Sequence, residues 1–172
     1  EKLTPELKKT IKTIFKLTTN KNLPNDILIS VLPKNEFKKE HLKHSKNWNE
    51  NIQGFAINRR HIDDFSSIFV KENAIDSVLL TIGHEIGHCL SHRLENEHLE
   101  EAKAFAFELA WLNTIHKFNI LNLKSSMNID MLKPAKNGLH NVALDFVRRK
   151  LFDIPNPINI FNLICNNNLV LG

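Results

Sequence analysis

The sequence predicts an α+β fold, and three observations carry that prediction. Short apolar runs rich in β-branched residues, stopped by turn residues, fall between residues 27 and 70, as the strands of a small sheet do. Longer patterns with an apolar residue every three or four positions flank them and fill the second half, as helices do. At 172 residues, against roughly 100–200 per domain, the chain predicts one domain over 1–172. Its upper part spans about 1–95 and its lower helical part about 96–172.

Each element has its own signal. Residues 4–19 predict an amphipathic helix, with Leu7, Ile11, Ile14, Phe15 and Leu17 inward, and Thr4-Pro5 reads as a cap followed by a first-turn proline. Asn20 to Asp26 is a turn. Ile27 to Leu32 is a strand ended by Pro33. Residues 34–51 are polar, irregular or partly helical, anchored by Phe37, Leu42 and Trp48. Gln53 to Ile57, or on to Ile62, reads as a second strand, and Ile68 to Val70 as a third. A helix then runs from about Asn73 to Leu94–Asn96 on the stripe Ile75, Val78, Leu79, Ile82, Ile86, Cys89 and Leu90. After a tight turn a second helix spans about Glu97 to Lys117, with Leu99, Ala102, Phe105, Ala106, Leu109 and Leu112 apolar. Residues 119–136 are a looser connection. Leu139 to Phe152 is a last helix, with Val142, Phe146 and Leu151 inward, and Pro155 and Pro157 end regular structure.

Composition narrows the function. The chain is 42% hydrophobic and 24% charged, values of an ordinary globular protein rather than a disordered or fibrous one. It lacks the 18 or more consecutive apolar residues of a membrane-spanning helix. Two cysteines, Cys89 and Cys165, exclude a disulfide scaffold. The net charge of +4 comes from scattered lysines and arginines without interleaved aromatics, so it reads as a solvated surface and no nucleic-acid partner is expected. The first residue is Glu, as expected of a trimmed or processed chain. A cytoplasmic setting is slightly favoured over a secreted one.

The segment His84-Glu85-Ile86-Gly87-His88 is an HExxH motif inside the most strongly periodic helix. Residues four apart on a helix share a face. Both imidazoles can therefore reach one Zn2+ ion, with Glu85 beside them to take a proton from a water on the metal. Gly83 and Gly87 add weight, because each glycine inside a helix costs about 1 kcal/mol against alanine and so needs a packing or functional reason.

A catalytic zinc takes a third protein ligand and keeps an open position. The second helix offers Glu97, Glu100, Glu101 and Glu108, and a hairpin turning near 95–97 brings position 101 back opposite His88. The pairing of HExxH with a glutamate on the following helix resembles the gluzincin class of zinc metallopeptidases. The string Glu101-Ala102-Lys103-Ala104-Phe105-Ala106 resembles the glutamate helix of ImmA/IrrE-type regulatory peptidases, and the compact size resembles the minigluzincins. The likeness covers about residues 52–112 and implies a small zincin-like domain with Glu101 as third ligand. It departs from the class in spacing. Twelve residues lie between His88 and Glu101, fewer than in most gluzincins, whereas the nineteen before Glu108 match thermolysin-like peptidases. Glu97, Glu100, His92 and His98 stay open as well.

Three further roles follow. Gly54, Phe55 and Ala56 form a candidate edge strand for an extended substrate, with small residues leaving room for its backbone. The oxyanion formed during peptide hydrolysis needs a donor. With no tyrosine in the chain, His140 is the first choice, ahead of His116, Arg148 and Arg149. Cys89 lies on the apolar stripe and reads as core. His41, His44, His61 and Trp48 line the cleft or have no role in it. The expected function is zinc-dependent hydrolysis of peptide bonds, with Zn2+ on His84, His88 and Glu101, a peptide or protein substrate and a monomeric chain. The alternatives are a zincin-like regulatory or effector domain with narrow or no general protease activity, and a basic nucleic-acid-binding domain in which HExxH is incidental.

Overall fold

Thr4 starts the first helix by accepting the Leu7 N–H on its hydroxyl, with Pro5 at the first helical position. This helix, α1 (Pro5–Thr19), buries Ile11, Ile14 and Phe15 and leaves Leu17 exposed, so the inward stripe is narrower than expected. It ends at Asn20 in the left-handed region. The computed structural model describes residues 2–127 and 138–169.

The strands are β1 (Ile27–Leu32), β2 (Gly54–Ile57) and β3 (Ser66–Lys71), in the order β1-β3-β2. β1 runs parallel to β3, Ile29 opposite Ile68, and β2 runs antiparallel to β3, Ala56 opposite Ile68. A small sheet is as expected, and its pairing is mixed. β2 stops at Ile57, and residues 60–62 form a single turn of 3-10 helix instead of a longer strand. Residues 34–42 form a regular helix, α2 (Lys34–Leu42), that covers one face of the sheet. The other face carries Ile68 and Val70, both fully buried.

That second face packs on α3 (Ile75–Cys89), the helix of the HExxH motif. α3 ends earlier than the sequence suggests, and its exposed Ile75 leaves the apolar stripe. The physical reason is a set of side chains that satisfy the terminal carbonyls in place of another turn. Asn58 Nδ2 donates to the carbonyls of His88 (2.7 Å) and Ser91 (2.8 Å), and Arg60 Nε donates to that of Cys89.

α4 (Glu97–Phe118) is the central helix, touched by α1, α3 and the two helices that follow. It buries Ala104, Phe107, Ala110 and Trp111 beyond the stripe expected for it, because a helix enclosed by others is apolar nearly all round. Its tightest approach is to α3. A Cβ placed on Gly87 would lie 2.8 Å from Ala104 Cα, and one on Gly83 would lie 2.7 Å from the Trp111 ring.

α5 (Leu139–Lys150) buries Ala143, Leu144, Phe146 and Val147. Val142, expected inward, is exposed, and Leu151 is partly buried beyond the helix end. Pro157 does not end regular structure. It opens a sixth helix, α6 (Pro157–Cys165), capped by the Asn156 side chain, which accepts the Ile158 N–H. α6 buries Ile160, Phe161 and Ile164, with Phe161 edge-on to Phe107 of α4. The fold is therefore α+β, with a three-stranded mixed sheet and a helical C-terminal half. Among the described residues no helix is long and apolar enough to cross a membrane. Of the connection expected at 119–136, Ile120–Ser125 forms a short 3-10 segment, and residues 128–136 lie outside the described residues.

Candidate metal centre

The spacing of His84 and His88 on α3 sets the two rings one turn apart and edge to face, Nε2 to Nε2 at 3.3 Å. Their Nδ1 atoms point the other way, each onto its own carboxylate on α4. His84 Nδ1 lies 3.0 Å from Glu108 Oε2, and His88 Nδ1 lies 2.8 Å from Glu100 Oε1. A carboxylate only accepts, so each Nδ1 carries the proton. The two Nε2 atoms thereby face one another across a space that a proton or another cation would fill.

Glu101 closes the group. Its Oε2 lies 3.4 Å from His84 Nε2 and its Oε1 lies 3.8 Å from His88 Nε2. Glu101 Oε2 is also 3.2 Å from His140 Nε2, at the start of α5. These are ion-pair distances without hydrogen-bond alignment, and this buried oxygen has no hydrogen-bond partner among the described residues. Two ring nitrogens and a carboxylate thus converge in a place that wants a cation. With ligand bonds of about 2.0–2.2 Å, neighbouring ligand atoms of a tetrahedral zinc are about 3.3–3.6 Å apart. The 3.3 and 3.4 Å separations match that edge and the 3.8 Å separation from His88 exceeds it by a few tenths of an ångström, so the residues present fit the metal.

The charges respond to one another. Burial alone would push the His84 imidazole down, but Glu101 and Glu108 outweigh it and raise its pKa well above the ordinary value. Burial pushes Glu101 up, and the imidazoles of His140, His84 and His88 more than reverse this, holding its carboxyl far below the usual carboxylate range. Glu100 is likewise lowered, because His88, Lys103 and the Leu94 N–H overcome its burial. Glu85 moves the other way. Its carboxyl is buried beside the two rings, and desolvation raises its pKa despite their pull.

A cleft of about 560 Å³ opens over these groups. All eight residues singled out in the sequence line it: His84, Glu85, His88, Glu101, His140, Gly54, Phe55 and Ala56. The three strand residues contribute differently. Gly54 and Ala56 point to the α3 side, and a Cβ on Gly54 would sit 2.5 Å from Thr81 Cγ2 and 3.0 Å from Glu85 Oε1. The room made by this glycine is thus filled by Thr81 and Glu85. The Phe55 ring points to the opposite face, stacked on Phe69 and edge-on to His41.

The backbone of β2 is more telling. Lys71 N–H donates to Gln53 O at 2.8 Å, and the register alternates from that pair. The N–H and C=O groups of Gly54 and Ala56 therefore face away from β3, along the outer edge of the sheet. No described residue pairs with them.

Other candidates separate cleanly. Glu108 and Glu100 sit behind the two histidines rather than among the convergent atoms. His92, Glu97, His116, Arg148 and Arg149 are exposed, and His98 is half-buried; none of these lines the cleft. His44 and Arg93 line its rim, His41 and Trp48 pack with Phe55 and Phe37, and His61 is exposed. Cys89 is fully buried, and desolvation pushes its thiol up to about 12. Sequence reasoning missed Asn58, Arg60 and Lys103, all of which hold the end of α3. An Asn or Arg in a loop carries no local signal of a carbonyl elsewhere. Lys103 left a faint one, a lysine among the small and aromatic residues of a helix expected to be buried. The chain matches no protein-family model, no curated protein and no solved structure.

Proposed function

We propose that this chain is a gluzincin-like zinc metallopeptidase, which hydrolyses peptide bonds in a peptide or protein substrate. The observation that carries the proposal is the convergence of His84 Nε2, His88 Nε2 and Glu101, with two of their three separations at the edge length of a zinc tetrahedron and a carboxylate behind each ring. Ring nitrogens backed in this way are characteristic of metal-ligating histidines. His84, His88 and Glu101 would hold the ion, which supplies Lewis acidity at a carbonyl and makes water more acidic.

The rest is done by the chain's own groups. Glu85 accepts a proton from the attacking water and returns it to the leaving nitrogen. Its raised pKa makes it a stronger base than an ordinary carboxylate, which favours taking the proton from water. His140, across the cleft beside Glu101, donates its N–H to the oxyanion that develops on the substrate carbonyl. The outward N–H and C=O groups of Gly54 and Ala56 hold an extended peptide as an added strand.

Metal analysis of the purified chain tests the centre, with about one zinc per chain expected. Glu85→Gln then tests the chemistry. It should keep that zinc and lose at least about 10²-fold in peptide hydrolysis, the typical share of a general base. A chain that binds no zinc, or a Glu85→Gln variant with normal turnover, refutes the reading.

A further inference from the structure

Among the described residues Lys103 is the one lysine with no exposed surface. An ammonium is costly to bury unless oxygens replace its water, and here four do. Its Nζ lies 2.8 Å from Glu100 Oε2, 3.1 Å from Ser91 Oγ, 3.4 Å from His92 O and 3.5 Å from His88 O. Glu100 turns its other oxygen, Oε1, to His88 Nδ1 at 2.8 Å, while Oε2 also accepts the Leu94 N–H at 2.8 Å. A continuous chain of charge-assisted contacts thus runs from Lys103 through Glu100 to the outer nitrogen of His88. The same ammonium reaches a carbonyl at the end of α3, the helix that carries His88. The other ring differs. Glu108, behind His84, has no lysine or arginine against it among the described residues.

We propose that Lys103 is a positioning residue for His88, an inference that rests on the metal centre described above. The ammonium fixes the Glu100 carboxylate in place, Glu100 Oε1 accepts the His88 Nδ1–H, and His88 Nε2 is left facing Glu101 and His84. An apolar side chain of the same length would fill the space and leave this chain without its source of charge. The structure requires the effect to be specific to His88.

The test uses the full chain with Lys103→Met, Glu100→Gln and the double variant. Two readouts are needed: zinc affinity by competition with a chelator, and imidazole ¹⁵N shifts of the metal-free protein at alkaline pH. In Lys103→Met, zinc affinity should fall by about 10–100-fold, the usual effect of removing a partner behind a ligand. His88 should move from the Nδ1–H form toward a mixture of tautomers, and His84 should not. Because Lys103 acts through Glu100, the double variant should bind zinc no more weakly than Glu100→Gln alone. Wild-type zinc affinity in either single variant overturns the proposal, as does a double variant showing the product of the two single losses. If the unaltered chain binds no zinc, it is the peptidase reading that fails. The His88 ring in metal-free Lys103→Met then still decides the role of Lys103.

Discussion

Three glutamates within nine positions of one helix do three different things, and only geometry separates them. Glu101 turns its carboxylate to the ring nitrogens that face one another, while Glu100 and Glu108 take the outer nitrogens. All three lie on the side of α4 that meets α3, so sequence spacing alone kept Glu108 in contention as a ligand. Substitution should sort them. Glu101→Ala removes a ligand and should bring bound zinc close to zero. Glu108→Ala leaves the ligand set intact and loosens His84, so zinc should bind about 10–100-fold more weakly. Metal content after dialysis against a graded chelator series distinguishes the two. Full zinc in Glu101→Ala would remove it from the ligand set.

At the scale of elements, the centre depends on how closely α3 and α4 approach. Gly87 lets Ala104 come within reach, and that closeness puts Glu100, Glu101 and Glu108 opposite the HExxH turn. Gly87→Ala would drive a methyl group into Ala104 Cα, a backbone atom that cannot rotate away. The expected cost is about 1–3 kcal/mol, seen as a lower Tm together with weaker zinc binding. An unchanged Tm would show that the helices have slack. The same elements show what the sequence made legible. α4 could be placed almost to the residue because Asn96 caps it and Asn119 ends it, both local signals. The end of α3 could not, because Asn58 and Arg60 terminate it from a loop some 30 positions away. α6 was misread because Pro157 both ends and begins structure, and the deciding feature was the Asn156 cap before it. In the candidate centre, HExxH picked out His84, Glu85 and His88 without help from the fold. The partners behind the rings needed the register of α4 on α3, which no local pattern states.

For the molecule as a whole, the buried charges couple folding to pH, and the sign can be worked out group by group. His84 has a pKa raised well above 6.5 in the folded state, so its contribution is complete below 6.5 and is lost as pH rises through the folded value. Glu100 and Glu101 are lowered from 4.5, so theirs is complete above 4.5 and is lost as pH falls toward the folded values. Glu85 is raised from 4.5 and runs opposite to these two, with its share present below 4.5 and lost as pH rises. Of these carboxyls only the two lowered ones act below 4.5, which gives a net loss in acid. Between 4.5 and 6.5 the loss from Glu85 is opposed by the buried His41 ring, whose lowered pKa adds stability as pH rises toward 6.5. The metal-free chain should therefore be most stable between about 4.5 and 6.5, the ordinary values from which these groups depart. Zinc changes both arms. It takes the place of the proton between the rings, so the alkaline loss from His84 belongs to the chelated protein and should vanish when zinc is added, while the acid loss should steepen because His84, His88 and Glu101 must shed protons to bind the ion. Thermal unfolding from pH 4 to 9, with chelator and with zinc, measures both arms. The same alkaline slope under both conditions would mean that the cation held between His84, His88 and Glu101 is not the one that zinc replaces.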